Sequence, residues 1–239
     1  MRPLLALVPF ALLTSLSLPA LAGTILIEGH GEVSATPDTA YVTSGVTTQG
    51  TTARDALDLN TAAMADLMSE LKAAGIEPRD IQTSGFSVNP NYVYSEQRDD
   101  NGYSLPPKIN GYQVSNVVTV RVRALDNLGA ILDKSVTVGA NTINGISFAV
   151  ADPAELLNEA RKAAFADAKA KAELYATAAG ARLEEIKSIN ESQNFNQPPQ
   201  PYMAKAMVQS ASADVPVSGG ELSFAINVTV QWELEDAGK

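Results

Sequence analysis

The strongest constraint on this chain lies near its C-terminus. Leu222, Phe224, Ile226, Val228, Val230, Trp232 and Leu234 alternate without a break against Ser223, Ala225, Asn227, Thr229, Gln231 and Glu233. Successive side chains of an extended chain point to opposite faces, so this pattern is a strand with one face buried. Strands of parallel sheets are apolar throughout, so the alternation points to an antiparallel sheet with one wet face. The dry face needs a cover, and the sequence offers one. Asp152-Pro153-Ala154-Glu155 starts a helix for three reasons. Asp accepts orphan N–H groups, Pro suits the first helical position, and Glu completes the capping box. The helix is predicted to run to about Ala179 and to stop at Gly180. Ala160, Ala163, Ala164, Ala168, Ala172 and Ala179 are placed on or near the face that also carries Leu157 and Tyr175. Such small side chains permit close packing on a sheet or a second helix.

Upstream, Thr24–Glu28 is a short β-rich run, Gly29-His30-Gly31 reads as a turn, and Pro37-Asp38 breaks the segment that follows. Tyr41–Gln49 is a strand rich in Val and Thr. Thr52-Ala53-Arg54-Asp55 is a capping-box pattern with Asp in place of the longer Glu. Behind it Leu57, Met64, Leu67, Met68 and Leu71 share one helical face, and Gly75 is the expected C-terminal cap. Ile81–Val88 is a strand. Residues 89–111 form a long polar stretch with Pro90, Pro106, Pro107 and three tyrosines, its first residues extending the strand and the rest a loop. In the strand Tyr112–Arg123, the even positions from Val114 to Val122 share one face, and Val117, Thr119, Arg121 and Arg123 take the other. Asp126 is expected to cap a short helix ending at Gly139, followed by the strands Ile143–Val150 and Leu183–Glu191. Residues 192–220 make a second long polar loop.

The two halves echo each other. Ala73-Ala74-Gly75 leads to Ile81, and Ala178-Ala179-Gly180 leads to Ile186, with the same spacing. Each site follows a long helix and opens a strand, and each long loop returns through Val-Thr-Val, at Val118–Val120 and Val228–Val230. The reading is an α+β fold: two β-α-β-loop-β repeats, about 38–123 and 142–234, forming mostly antiparallel sheet with two long helices packed on it.

Compartment follows from the N-terminus. Arg2, an apolar run from Leu4 to Leu18 and Ala20-Leu21-Ala22 have the form of a cleavable secretory signal. The apolar run is shorter than the ~20 residues of a spanning helix, so no transmembrane anchor is expected. Residues 1–22 are then the signal peptide and 23–239 one exported, periplasmic domain. The chain has no cysteine, which removes disulfides, thiolate zinc sites and thiol peroxidase chemistry. Its net charge of −10 argues against a nucleic-acid partner, whose phosphates would be repelled.

Candidate chemistry is sparse. His30 is the only histidine and is expected to be a turn residue, since a site needs converging partners. With one His and no Cys, a transition-metal site is short of ligands. Gly29-x-Gly31 lacks the third glycine of a dinucleotide fingerprint, position 34 being Ser. Asp99-Asp100-Asn101-Gly102 lacks the spacing of a calcium loop and reads as a solvated hairpin tip. Met64/Met68 belong to a core, whereas Met203/Met207 fall in a Pro-rich loop with no assigned role. Glu184/Glu185 are adjacent, as solvated charges usually are. No catalytic, cofactor-binding or metal residues are assigned.

Residues 29–40, from Gly29-His30-Gly31-Glu32 to Pro37-Asp38-Thr39-Ala40, resemble the N-terminal signature of the bacterial SIMPL-domain family. So do Gly111-Tyr112-Gln113-Val114-Ser115-Asn116, Leu125-Asp126-Asn127-Leu128-Gly129, Asn144-Gly145-Ile146-Ser147-Phe148 and the Ala-rich helix. The resemblance covers nearly the whole exported chain. It implies an exported protein with no established catalytic residues and no cofactor. Members are described as periplasmic immunogenic or oxidative-stress-defence proteins, and some form oligomers. The expectation is a non-enzymatic periplasmic homo-oligomer that supports envelope or oxidative-stress tolerance. The alternative is a module binding a small envelope ligand or a peptide. The strand 222–234 carries a direct test. Trp232→Asp puts a charge on its buried face and is expected to impair folding, and wild-type melting in that variant would count against the reading.

Overall fold

A computed structural model describes residues 23–192, 200–202 and 215–236. The elements are, in order, β1 (Gly23–Ala35), β2 (Thr39–Gly50), α1 (Ala53–Ala73), β3 (Ile81–Val93), β4 (Lys108–Val122), α2 (Leu128–Thr137), β5 (Thr142–Ala149), α3 (Ala154–Ala178), β6 (Ala181–Glu191), β7 (Gln200–Tyr202) and β8 (Glu221–Asp236). The fold is α+β, and its strands divide between two antiparallel sheets. One has the order β3-β4-β2-β5 and the other β1-β8-β6, with β7 also pairing β8. Of the described residues, 23–31, 161–192 and 226–236 make one compact unit. Residues 32–160, 200–202 and 215–225 make the other. The expected signal segment, residues 1–22, lies outside the described residues.

In the larger unit, β2 lies between β4 and β5, in register from Ala40↔Val122 to Gly50↔Tyr112 on the β4 side. Ala40, Val42 and Val46 of β2 and Val118, Val120 and Val122 of β4 share the dry face. They meet Met64, Leu67 and Leu71 of α1 and Leu128, Ile131 and Leu132 of α2. The capping box forms as expected. Thr52 Oγ1 accepts the Asp55 N–H at 3.1 Å, and the Asp55 carboxylate accepts the Thr52 N–H at 3.3 Å. The Asp55 carboxyl is held below its usual pKa by hydrogen bonds, first from Thr52 and then from Thr51. Gly75 follows α1 with φ 86°, a conformation open to glycine. The start of α2 differs from expectation. A 3₁₀ turn over Leu125–Asn127 leads into the helix, and Asn127, not Asp126, precedes it without a side-chain cap. Asn60 is a polar residue on the dry side of α1. It is buried and donates to the Val46 carbonyl at 2.8 Å, fastening helix to strand.

The smaller unit overturns the turn expected at Gly29-His30-Gly31. These residues continue β1 as a regular strand, with Gly29 and Gly31 buried and His30 exposed. Gly29 serves close approach instead of chain reversal. A methyl built on Gly29 would lie 2.6 Å from Ala168 Cβ of α3, far inside contact distance. Ala164 and Ala168 meet the strand at Gly29, and Ala172 and Ala176 continue the buried stripe at i, i+4 spacing. Tyr175, expected on that face, is 58% exposed, because a stripe repeating every four residues selects its neighbour Ala176 instead. Ala163 and Ala179 are also exposed. Trp232 of β8 is buried, its ring 6.4 Å from that of Phe165 on α3.

β1 is an edge strand, so one row of its backbone groups has no neighbouring strand. Helix α3 supplies the partners. Asp167 Oδ2 accepts the His30 N–H at 2.8 Å, and Lys171 Nζ donates to the Glu28 carbonyl at 3.2 Å. Asp167 and Lys171 also pair with each other at 2.6 Å. The Asp167 carboxyl lies below its usual pKa, chiefly through the Lys171 hydrogen bond and then through the His30 N–H. Gly29→Ala is expected to cost about 1–3 kcal/mol through overpacking against α3. Urea unfolding of residues 23–239 checks this, with Gly85→Ala, whose added methyl meets only an ordinary contact to Val117, as the mild comparison. An unchanged midpoint for Gly29→Ala would contradict the close packing.

Candidate functional site

The residues singled out by sequence do not converge on one site. His30 Nδ1 lies 2.8 Å from Asn227 Oδ1 on the neighbouring strand β8. Met64 is buried and Met68 packs against the same core. Met203 and Met207 lie outside the described residues. Glu184 and Glu185 are exposed. Among the described residues no group of three or more His, Asp or Glu side chains is arranged to hold a metal ion.

Two features do stand out, both in the larger unit. The first is an arm. The stretch 89–111 was expected to be mostly loop, but β3 and β4 remain paired as far as Val93↔Lys108, and Arg98 and Ser104 bridge beyond. Its polar, Pro-containing sequence hides the strands because the pairing is carried by backbone groups. The tip is tied by its own turn, as the hairpin reading expected. Asp99 Oδ1 accepts the N–H groups of Asn101 (3.0 Å) and Tyr103 (2.8 Å). Arg98 Nη1 donates to the Gly102 carbonyl at 2.7 Å, and Gly102 has φ 83°. The arm leaves aromatic and aliphatic side chains in water. Phe86, Tyr92, Val93 and Ile109 are about half exposed or more, and Tyr94 and Tyr103 reach 76% and 73%. Apolar surface concentrated in this way marks an interaction site more often than scattered residues do. Glu96, Asp99 and Asp100 give the tip a negative charge.

The second feature lies at the other end of β4. A cavity of about 90 Å³ is lined by the turn after α1, the end of β4 and the start of the following turn, including Glu77, Asp80, Arg121, Arg123 and Asn127. Asp80 is buried and held by two bonds from Arg123, Nε to Oδ2 and Nη2 to Oδ1, each 2.8 Å. This fork geometry pushes the Asp80 carboxyl below its usual pKa, against the opposing effect of burial. The stabilisation is therefore present above the unfolded-state carboxyl pKa and is lost as pH falls through the lowered value. Arg79 pairs with Glu77 at 2.8 Å. Arg121 lies over the Tyr41 ring, 5.9 Å from its centroid. Its Nε is buried and meets no hydrogen-bond acceptor. The sequence placed Arg121 and Arg123 on one face by parity. It gave no sign of Asp80, which is 43 residues away and reaches Arg123 only through the fold.

The profile of SIMPL, described as a protein of unknown function (DUF541), matches residues 25–232. A Brucella melitensis protein named 26 kDa periplasmic immunogenic protein is 38% identical over 239 residues, covering 94% of this chain and 93% of its own. The Escherichia coli K12 protein YggE, described as uncharacterized, is 28% identical over 212 residues, covering 88% of this chain and 83% of its own. Among the described residues, no helix is long and apolar enough to cross a membrane. The match over residues 25–232 shows that this chain belongs to the SIMPL family.

Proposed function

We propose that this chain is a non-enzymatic periplasmic protein that self-assembles through the β3–β4 arm and supports envelope or oxidative-stress tolerance. The arm carries the reading: two paired strands raise a band of exposed aromatic and aliphatic side chains that covers no part of the core. A rigid scaffold presenting such an arm suits binding to another protein surface. The periplasmic location is supported by the signal pattern in residues 1–22 and by the name of the Brucella relative. The stress role is supported by the family resemblance, and the absence of cysteine argues that it does not run through thiols. The rival reading is a module for a small envelope ligand or a peptide. The 90 Å³ cavity beside Arg121 lies far below the ~300–1,000 Å³ of ordinary ligand pockets, which favours assembly over enclosure of a small molecule.

Native mass spectrometry of the exported chain, with and without residues 96–109, tests the reading. The full chain is expected to appear as an oligomer and the trimmed chain as smaller species. A full chain that is monomeric at every concentration would overturn it.

A further inference from the structure

We propose that the arm binds the same arm of a second copy, the two lying antiparallel with each acidic tip against the other's Lys108, a contact that rests on the self-assembly reading and names its partner. The arm is apolar on both faces. Tyr92 stands opposite Ile109 in the register, and Val93 stands opposite Lys108. Successive strand residues point to opposite faces, so Tyr92 and Ile109 share one face and Val93 lies on the other. All three are about half exposed. A flat partner would cover one face and leave the other wet. Two-stranded ribbons twist strongly, so a second ribbon winds around the first and reaches both. The apolar groups exposed elsewhere are one-sided. In the larger unit Leu59 of α1, Val136 of α2 and Ile143 of β5 stand on separate elements, as scattered surface residues do. In the smaller unit Leu174 and Tyr175 belong to a helix, α3, and Ile186 and Ile189 to the sheet strand β6. The arm is therefore matched best by a second arm.

Charge sets the orientation. From Tyr92 to Ile109 the arm holds Glu96, Asp99 and Asp100 against Arg98 and Lys108, so it is nearly neutral on a chain of net charge −10. Two copies of so acidic a chain meet there with the least repulsion. Within the arm the charges are segregated. Glu96, Asp99 and Asp100 sit at the tip together with Arg98, which donates to the Gly102 carbonyl, and leave the tip net negative. Lys108 sits at the base. Lys108, Glu96 and Asp100 are exposed, and among the described residues none of them has an ion-pair partner. Parallel arms would set tip on tip and repel. Antiparallel arms set each tip on the partner's base. At 3.3 Å per residue the chain from Asn101 to Lys108 spans roughly 20 Å, so one full overlap joins tip and base at both ends. Tyr94 and Tyr103, next to the tip in the chain and more exposed than Tyr92, then lie inside the overlap. Each arm gives what it receives, so the contact is isologous and closes as a two-fold pair.

Charge reversal at both ends tests the pairing, with association of residues 23–239 measured by sedimentation equilibrium. Lys108→Glu reverses the base, and Glu96→Lys with Asp100→Lys reverses the tip. Each reversal alone is expected to weaken association about tenfold, because it sets like charges together at both ends of a two-fold contact. All three substitutions together exchange the signs and are expected to restore association to within about threefold of the wild type. Losses that add in the combined variant, or a Lys108→Glu variant that associates like the wild type, would overturn the arm-to-arm contact and leave assembly of the arm on another surface standing. A wild type that is monomeric at every concentration would overturn both. The three side chains are exposed and lie outside the core, and circular dichroism checks that each variant is folded.

Discussion

The smaller unit depends on how closely α3 approaches β1. Helix and sheet backbones are ordinarily held apart by the side chains that fill the gap between them. Here the strand presents Gly29 and the helix presents Ala164 and Ala168, so the two backbones come almost into contact. That closeness puts Asp167 and Lys171 within reach of the backbone of β1, where they bond the His30 N–H and the Glu28 carbonyl. A longer side chain at position 29 would separate the two and uncover the edge. Packing and edge protection are thus one arrangement. β1, α3 and β8 each also have residues in the larger unit.

The larger unit uses ordinary packing for its core and departs from it at two places. Valines of β2 and β4 meet leucines of α1 and α2, and the buried Asn60 amide ties helix to strand. The paired strands β3 and β4 then run on past the core as an arm with exposed tyrosines. At the far end of β4, Asp80 accepts two hydrogen bonds from Arg123 and also feels the charge of Arg121, which lies over the Tyr41 ring. The exposed aromatic and aliphatic side chains of the arm cover no part of the core.

What was legible in the sequence follows from the range of the interactions involved. The alternation in 222–234, the Thr52/Asp55 capping box and the stops at Gly75, Gly139 and Gly180 all act over a few residues, and all stand in the structure. Gly29-His30-Gly31 was misread because a glycine that makes room for a helix looks, locally, like a glycine that makes a turn. Tyr175 was placed inward because a period of 3.6 fits both it and Ala176. Only contact with β1 decides between them. The strands within 89–111 escaped notice because polar residues pair as readily as apolar ones when backbone groups do the bonding. For the site, parity grouped Arg121 with Arg123, but the pairing of Arg123 with Asp80, 43 residues away, appears only in the fold.

The seating of α3 on β1 has a local reporter. The His30 N–H lies on the outer row of an edge strand, where backbone amides ordinarily exchange quickly with solvent. If the Asp167 carboxylate holds it at 2.8 Å, as the structure has it, amide hydrogen exchange followed by NMR at neutral pH will find His30 as slow as the amides that bond β1 to β8. A His30 amide that exchanges as fast as an open loop would contradict the seating of the helix and the account built on it.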